Sequence, residues 1–279
     1  VGMNAEGQAR RAVEVDLRGA MAEDDLTLFF QPQIAIPSGR IIGMESLIRW
    51  RHPEYGLVPP GKFIPVAEST RLIIQMGEWI LRTACEKNKQ LQDMGLQQLD
   101  MAVNISPLQF KQSGFLGQLK TALDQSGLDP KWLELEITES MAMNEEVVNL
   151  FNELKEIGVK LAIDDFGTGF SSLSRLKNFP VDRLKIDRSF VHDIDSQNDH
   201  QAIGKAIIQL GHSMNLKVIA EGVETMAEME TLVSLGCDEA QGFLYSPALP
   251  FDELVDFLKI HSVQPQTLFK GGLPSAETA

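Results

Sequence analysis

The chain has 279 residues, 43% of them apolar and 23% charged, which is typical of a globular protein with a full core. Its formal charge of −14, without a basic stripe, argues against a nucleic-acid polymer or an anionic membrane surface as partner. The apolar stretches are too short to span a bilayer, and the two separated cysteines give no disulfide framework. We therefore expect the chain to act in the cytoplasm, alone or as the cytoplasmic domain of a larger, even membrane-attached protein.

Short strand-like runs alternate with helix-length segments along most of the chain. The predicted strands are residues 26–36, 41–50, 99–106, 132–139, 159–165, 181–187, 216–222 and 238–245. Helix-length segments lie between most of these strands, for example residues 65–91, 145–157, 201–214 and 226–235. The turn "PSGR" predicts a hairpin between the first two strands, and the later alternation predicts parallel crossovers.

This rhythm predicts an α/β fold, a modified TIM-like (β/α)8 barrel with an antiparallel first strand. An open doubly wound sheet is the alternative, but no strand–GxGxxG–helix start favours it. We divide the chain into an N-terminal flank (1–16), a barrel (17–262) and a polar C-terminal tail (263–279). The chain is expected to be one piece of a larger protein.

Several polar residues share one position in the alternation of these strands. One parity of each barrel strand faces the helices, and the other faces the barrel axis. Polar side chains with the axis-facing parity, mostly near the C-terminal ends of their strands, are Glu45, Asn104, Glu136, Asp164, Lys185 and Glu221, with Asp165 one step beyond. Because barrel active sites are built at this rim, we expect these side chains to converge.

The donor chemistry of this set favours hard divalent cations. Carboxylate and amide oxygens without histidine or cysteine suit Mg²⁺ or Mn²⁺ rather than zinc. The adjacent Asp164 and Asp165 are placed to reach two ions at once. Two such ions, about 3.5–4 Å apart, activate a shared water for in-line attack on phosphorus. Lys185 would add a fixed positive charge for the phosphoryl oxygens.

The motifs along the chain resemble one known family. They are "FFQP" (29–32), "ESLIRW" (45–50), "NISPLQF" (104–110), "LELEITES" (133–140), "IDDFGTGFSSL" (163–173), "VDRLKIDRSFV" (181–191), "VIAEGVET" (218–225) and "AQGFLYSPALP" (240–250). This series, from about residue 17 to residue 258, resembles the EAL domain family of bacterial cyclic-di-GMP phosphodiesterases. Ser46 replaces the central alanine of the family motif, a small change on the face opposite Glu45 that we expect to be tolerated.

The resemblance implies hydrolysis of cyclic di-GMP to linear pGpG with two Mg²⁺ or Mn²⁺ ions, Ca²⁺ being inhibitory. It implies Glu45, Asn104, Glu136, Asp164, Asp165 and Glu221 as metal ligands, and Lys185, Glu221, Glu45, Asp164 and Asp165 as catalytic residues. It implies Gln31, Leu47, Arg49, Glu224 and Gln241 on the substrate side. Glu139 resembles the glutamate that supports the loop at residues 165–172, which the family links to dimerisation, so a homodimer is expected.

Other interpretations remain open at this point. A catalytically silent cyclic-di-GMP receptor module would carry most of the same motifs, although such members usually lack a ligand, the lysine or the loop glutamate. A metal-dependent barrel enzyme of other chemistry, such as an enolising one, is a third possibility. Taken singly, each polar residue has an ordinary structural explanation, and Trp50 and the five histidines are predicted to be packing or surface residues. Joint occurrence on successive strands favours the phosphodiesterase.

Overall fold

The structure is a computed structural model that describes residues 2–142, 148–169 and 179–263, with side chains between residues 10 and 261. The strands in this part of the chain are β1 (Leu26–Ala35), β2 (Arg40–His52), β3 (Gly56–Val58), β4 (Asp100–Asn104), β5 (Leu133–Thr138), β6 (Lys160–Phe166), β7 (Arg183–Ile186), β8 (Lys217–Glu221), β9 (Glu239–Gln241) and β10 (Leu249–Pro250). Each of the eight strands predicted from the sequence is found, most with shifts of one or two residues at the ends, whereas the last, predicted at 238–245, ends at Gln241.

The sheet closes into a barrel. From β2 the order runs through β4, β5, β6, β7, β8 and β9, and every neighbouring pair is parallel. β1 closes the sheet by pairing antiparallel with both β9 and β2, and the predicted hairpin joins it to β2. The short β3 and β10 flank the barrel as antiparallel additions. The predicted barrel with an antiparallel first strand is therefore confirmed.

Helices surround this sheet. In the described residues they are α1 (Gly2–Ala22), α2 (Pro60–Ser69), α3 (Leu72–Asp93), α4 (Pro107–Phe110), α5 (Phe115–Ser126), α6 (Glu139–Ala142), α7 (Val148–Ile157), α8 (Arg188–Val191), α9 (Asn198–Ser213), α10 (Met226–Ser234) and α11 (Phe251–Val263), with a 3₁₀ turn at Pro130–Trp132. Within the described ranges, no helix combines the length and the apolar character needed to cross a membrane.

The helices differ from the prediction in three respects. The predicted helix 65–91 is two helices, because Arg71 takes a left-handed backbone (φ 63°) between α2 and α3. Among the longer helices, α1, α5 and α11 were not named in the prediction, and α1 runs across the proposed boundary at residue 16, with Leu17 and Ala20 buried. Residues 145–147 of a predicted helix and residues 264–279 of the predicted tail lie outside the described residues.

The barrel interior is layered by charge. The alternation places Arg183 and Glu134 near the N-terminal ends of their strands, and Lys185 and Glu136 two residues further along the same strands. Small or apolar residues such as Ala102 separate the two layers. The opposite parity carries an apolar row, fully buried against the helices. The C-terminal charged layer is thus held by rigid parallel strands.

Candidate active site

Lys185 lies at the centre of the C-terminal charged layer. Its side chain is 1% exposed, and its Nζ lies 2.6 Å from Glu221 Oε1 and 2.7 Å from Glu136 Oε1. The same Nζ is 3.3 Å from Asp164 Oδ1 and 3.8 Å from Glu45 Oε2. Although burial works against the ammonium, these four carboxylates raise the pKa of Lys185 well above its ordinary value. The predicted convergence of these side chains is found.

Glu45 is held as a carboxylate by hydrogen bonds. Asn104 Nδ2 donates to Glu45 Oε1 at 2.6 Å, and Gln241 Nε2 donates to Glu45 Oε2 at 2.6 Å. Burial alone would raise the pKa of Glu45, but the charge of Lys185 and these two donors hold it below its ordinary value. The strand register explains the contact with Asn104. Glu45 pairs with Ala102 of β4, and Asn104 lies two residues further along β4, on the same face of the sheet.

The pKa of Glu136 is shifted in the opposite direction to that of Glu45. It is 1% exposed, and its Oε1 lies 2.7 Å from the Lys185 Nζ. Burial, and then the nearby charge of Glu45, raise the pKa of Glu136 well above its ordinary value. For Glu221, burial outweighs the attraction of Lys185 and raises its pKa to about 8. The cluster thus holds more negative charge than one lysine neutralises.

Asp164 and Asp165 end β6 with a sharp change of backbone direction. Asp165 has a left-handed backbone (φ 54°), and its N–H donates to Asp164 Oδ1 at 2.9 Å. Burial and the charges of Asp164 and Asp187 raise the pKa of Asp165 to about 6. Asp187, which caps α8, is therefore a further carboxylate at this rim that the sequence prediction missed.

A chain of buried amides supports one side of the cluster. Gln241 receives a hydrogen bond on Oε1 from Gln33 Nε2 at 3.0 Å and donates to Gln31 Oε1 at 3.1 Å. Gln31 in turn donates to the Ser246 carbonyl at 3.1 Å. Gln31 and Gln241 were predicted site residues, whereas Gln33 was not. The network orients the Gln241 amide so that its Nε2 reaches Glu45.

A cavity of about 270 Å³ opens beside the carboxylates. Its walls are Gln31, Glu45, Leu47, Arg188, Glu221, Gly222, Glu224, Gln241, Gly242 and Phe243. Arg188 and Phe243 were not predicted. Arg188 donates to Glu224 Oε1 at 2.6 Å across the cavity, and Phe243 is 63% exposed. Phe243 was assigned to a predicted strand that actually ends at Gln241, which hid its exposure.

Two further predicted residues, Arg49 and Glu139, lie outside the cavity walls. The guanidinium of Arg49 lies 5.6 Å from the Phe29 ring centre and donates to the Ile48 carbonyl. Glu139 is buried and accepts a hydrogen bond from the Gly167 N–H at 3.1 Å, at the start of the loop it was predicted to support. Residues 170–172 of that loop lie outside the described residues.

The cluster suits a hard divalent cation in its donor chemistry. Glu136 offers buried carboxylate oxygens, and Glu45, Asp164 and Glu221 add further carboxylates around the same point. With Lys185 between the carboxylates, however, no three Asp, Glu, His or Cys side chains of the described residues already form a metal-holding group. The residues therefore fit such ions by their charge and by the type of their ligand atoms.

Comparison with known proteins decides the family. A profile of the EAL domain matches residues 14–248, most of the chain. The chain belongs to the EAL domain family. This EAL domain is 44% identical over 255 residues to the bifunctional diguanylate cyclase/cyclic di-GMP phosphodiesterase MucR of Pseudomonas aeruginosa, covering 91% of this chain and 37% of that protein.

Other similarities agree with this family. The EAL domain is 40% identical over 251 residues to the cyclic di-GMP phosphodiesterase NbdA of Pseudomonas aeruginosa, covering 89% of this chain and 32% of that protein. A solved structure of the PaMucR phosphodiesterase in complex with c-di-GMP superposes with a TM-score of 0.85 at 44% identity, covering 87% of this chain and 99% of that one. The chain thus spans about a third of the length of these two curated relatives.

Proposed function

We propose that this EAL domain hydrolyses cyclic di-GMP to linear pGpG with the help of two divalent cations. The observation that carries the proposal is the convergence of four carboxylates and Asn104 around Lys185, at the C-terminal rim of a barrel whose relatives include named cyclic-di-GMP phosphodiesterases. The net reaction adds water across one P–O3′ bond. The water oxygen joins phosphorus, and a proton ends on the released 3′ oxygen.

The proposed ligands of the cations are Glu45, Asn104, Glu136, Asp164, Asp165 and Glu221. Bound Mg²⁺ or Mn²⁺ would polarise the phosphodiester and make a water acidic enough to attack. The contribution of the chain itself is to hold these carboxylates close together and largely shielded from solvent. The charge of Lys185, together with the hydrogen bonds from Gln241 and Asn104, favours the ionised form of the Glu45 carboxylate.

Lys185 has the role of a positively charged donor to the reacting phosphate. Its buried ammonium cannot lose its charge near neutral pH, because the surrounding carboxylates raise its pKa. A donor fixed where negative charge develops stabilises the transition state more than the bound substrate. Lys185 therefore has to leave part of its present carboxylate contacts when cations and substrate occupy the cluster.

The cavity walls suit a purine dinucleotide. Arg188 offers a planar fork for a phosphate or a guanine edge, and the exposed ring of Phe243 offers a face for base stacking. Glu224, which now holds Arg188, offers an acceptor for a guanine N–H. Leu47 supplies an apolar contact to the same cavity. We assign these four residues, with Gln31 and Arg49, to substrate binding.

The support of the loop at residues 165–172 by Glu139 is part of the same proposal. Its carboxylate accepts the Gly167 N–H and thereby ties the backbone after Asp165 to α6. We propose that this contact keeps Asp165 in position to reach a cation, and that the loop contributes to a homodimer.

The proposal is tested by chromatography of cyclic di-GMP incubated with the purified chain. We expect pGpG with Mg²⁺ or Mn²⁺, little product with Ca²⁺ because its larger and looser shell positions water poorly, and none with a chelator. Tight binding without product under both Mg²⁺ and Mn²⁺ would instead favour a receptor module. Product formation that is indifferent to the chelator would contradict the role of the cations.

A further inference from the structure

Glu228 of α10 is a buried carboxylate that has no part in the proposed hydrolysis. It is 2% exposed, and it is not among the carboxylates that contact Lys185. Burying a carboxylate is costly unless hydrogen bonds compensate the loss of water. Its Oε2 accepts the backbone N–H groups of Glu224 at 2.8 Å and Thr225 at 3.0 Å. Its Oε1 accepts the backbone N–H of Asp193 at 3.3 Å.

The contacts of Oε2 belong to the cap of α10. Thr225 is the N-cap residue, and its Oγ1 accepts the Glu228 N–H at 3.2 Å while Glu228 accepts the Thr225 N–H in return, which forms a capping box. The contact of Oε1 is not part of this box, because Asp193 lies 35 residues earlier, between α8 and α9. Glu228 therefore joins two separate segments at the C-terminal rim of the barrel.

The same two segments carry two walls of the substrate cavity. Arg188 lies on one and Glu224 on the other, and their ion pair of 2.6 Å spans the cavity. The two side chains are 60% and 32% exposed, and exposed ion pairs contribute little to stability. The parallel pairing of β7 with β8 ends before both residues. If Arg188 and Glu224 part to contact a guanine, the buried contact between Glu228 and Asp193 still holds the two segments together.

We propose that Glu228 is a positioning residue for substrate binding. Through the backbone of Asp193 and Glu224 it sets the spacing of the two cavity walls, and with it the affinity for a guanine base. The inference rests on the proposed function, because it takes this cavity as the nucleotide site. Since Glu228 does not contact the cluster around Lys185, its loss should weaken nucleotide binding and spare the chemical step.

Glu228→Gln is the variant that cuts the link between the segments and keeps the cap. Glutamine serves in a capping box as glutamate does, so its one oxygen still accepts from the start of α10. Its amide nitrogen then faces the Asp193 N–H, and two donors form no hydrogen bond. We expect Kd for cyclic di-GMP, measured by calorimetry in Ca²⁺, and KM in Mn²⁺ to rise about tenfold, with kcat within about threefold.

Two matched variants separate positioning from a loss of stability. Glu230→Gln makes the same change at an exposed position of α10, and should alter Kd and KM by less than about twofold. Thr225→Val removes the other half of the capping box and leaves the contact with Asp193 in place. It should lower the melting temperature by about 2–4 °C and leave Kd within about twofold.

The outcomes for positioning and for hydrolysis are distinguishable. Binding of cyclic di-GMP by the unchanged chain without any pGpG would contradict the hydrolysis alone. A Kd of Glu228→Gln within about twofold of the unchanged chain would overturn the positioning role. An equal rise of Kd in Thr225→Val would overturn it as well, because helix stability would then explain the effect. No binding of cyclic di-GMP by the unchanged chain would overturn both.

Discussion

At the scale of single residues, the account depends on Lys185. In Lys185→Ala we expect kcat for cyclic di-GMP to fall at least about 100-fold, since a fixed donor to the transition state is lost. Affinity for the nucleotide, measured by calorimetry in Ca²⁺, should change less than about threefold. Lys217→Ala, which removes an exposed lysine paired with Asp238 at the other end of the barrel, is the control. Comparable losses of kcat and affinity would show that Lys185 only binds substrate.

Ser46 is the residue at which the chain departs from the family motif. The structure supports the expectation that it is tolerated, because its hydroxyl donates to the Ala102 carbonyl at 2.9 Å and does not contact Lys185. We expect Ser46→Ala to leave turnover within about twofold and to cost about 0.5–1.5 kcal/mol of unfolding free energy. Urea unfolding and the chromatographic assay measure both. A large gain in turnover would mean that Ser46 restrains catalysis.

The carboxylates with raised pKa values predict how cations act on stability. The pKa of Glu221 is about 8 and that of Asp165 about 6, so the folded chain holds protons that the unfolded chain has released. The free energy of unfolding of the cation-free chain therefore falls as pH rises through about 4 to 8.

Added Mn²⁺ replaces these protons, so the gain in melting temperature on adding Mn²⁺ should grow from pH 5.5 to pH 8, reaching about 5 °C at saturation. Thermal unfolding with Mn²⁺ or chelator measures it, and Glu45→Ala, which lacks a proposed ligand, should show a much smaller gain. A gain that shrinks with rising pH would contradict the assigned ligands.

At the scale of elements, the turn after β8 shapes the substrate cavity. Gly222 has a left-handed backbone (φ 69°), and a Cβ there would lie 2.4 Å from Cγ of Arg188. We expect Gly222→Ala to displace Arg188 and raise KM for cyclic di-GMP about tenfold, besides a strain of about 1–2 kcal/mol. Gly236→Ala has the same kind of backbone (φ 77°) with open space around it, and should show the strain without the change in KM. Equal KM values in both variants would remove Arg188 from substrate binding.

The elements also show what the sequence could predict. Strands were predictable because each alternates an apolar helix-facing row with axis-facing residues, and the same alternation brought Glu45, Glu136 and Lys185 together. The helix α5 was missed because its apolar residues form only a short periodic pattern. The break at Arg71 was missed because the apolar pattern continues on both sides of that residue. Arg188 and Phe243 were missed because their placement depends on the turns after β7 and β9 rather than on any periodic pattern.

At the scale of the whole molecule, the barrel has a charged layer at each end of its interior. At the N-terminal end Arg183 pairs with Glu134, with Glu239 at 2.7 Å and with Asp100 at 3.7 Å, all four being buried. Burial opposes the charge of the Arg183 guanidinium, but these carboxylates outweigh it and raise its pKa. This layer fills the end of the barrel opposite the carboxylate cluster. Removing its ion pairs should therefore lower the free energy of unfolding without lowering the turnover of cyclic di-GMP.

In Arg183→Met we expect a loss of about 3–5 kcal/mol of unfolding free energy, because the buried Glu134 and Glu239 lose their cationic partner, whereas Asp100 retains Lys160. Turnover per folded molecule should change less than about threefold. Lys155→Ala, which removes the half-exposed pair with Asp182, should cost no more than about 1 kcal/mol. An Arg183 variant as stable as the unchanged chain would refute the structural role of this layer.

The most direct test of the central claim compares two glutamates of β5. Glu134 and Glu136 share one strand, one face and near-complete burial, but lie in opposite charged layers. The measurement is the rate of pGpG formation with Mn²⁺ by Glu134→Gln and Glu136→Gln, at a temperature where both are folded. We expect Glu136→Gln to lose at least about 100-fold in rate and Glu134→Gln to stay within about threefold. Equal rates, or a larger loss in Glu134→Gln, would contradict the placement of catalysis around Lys185.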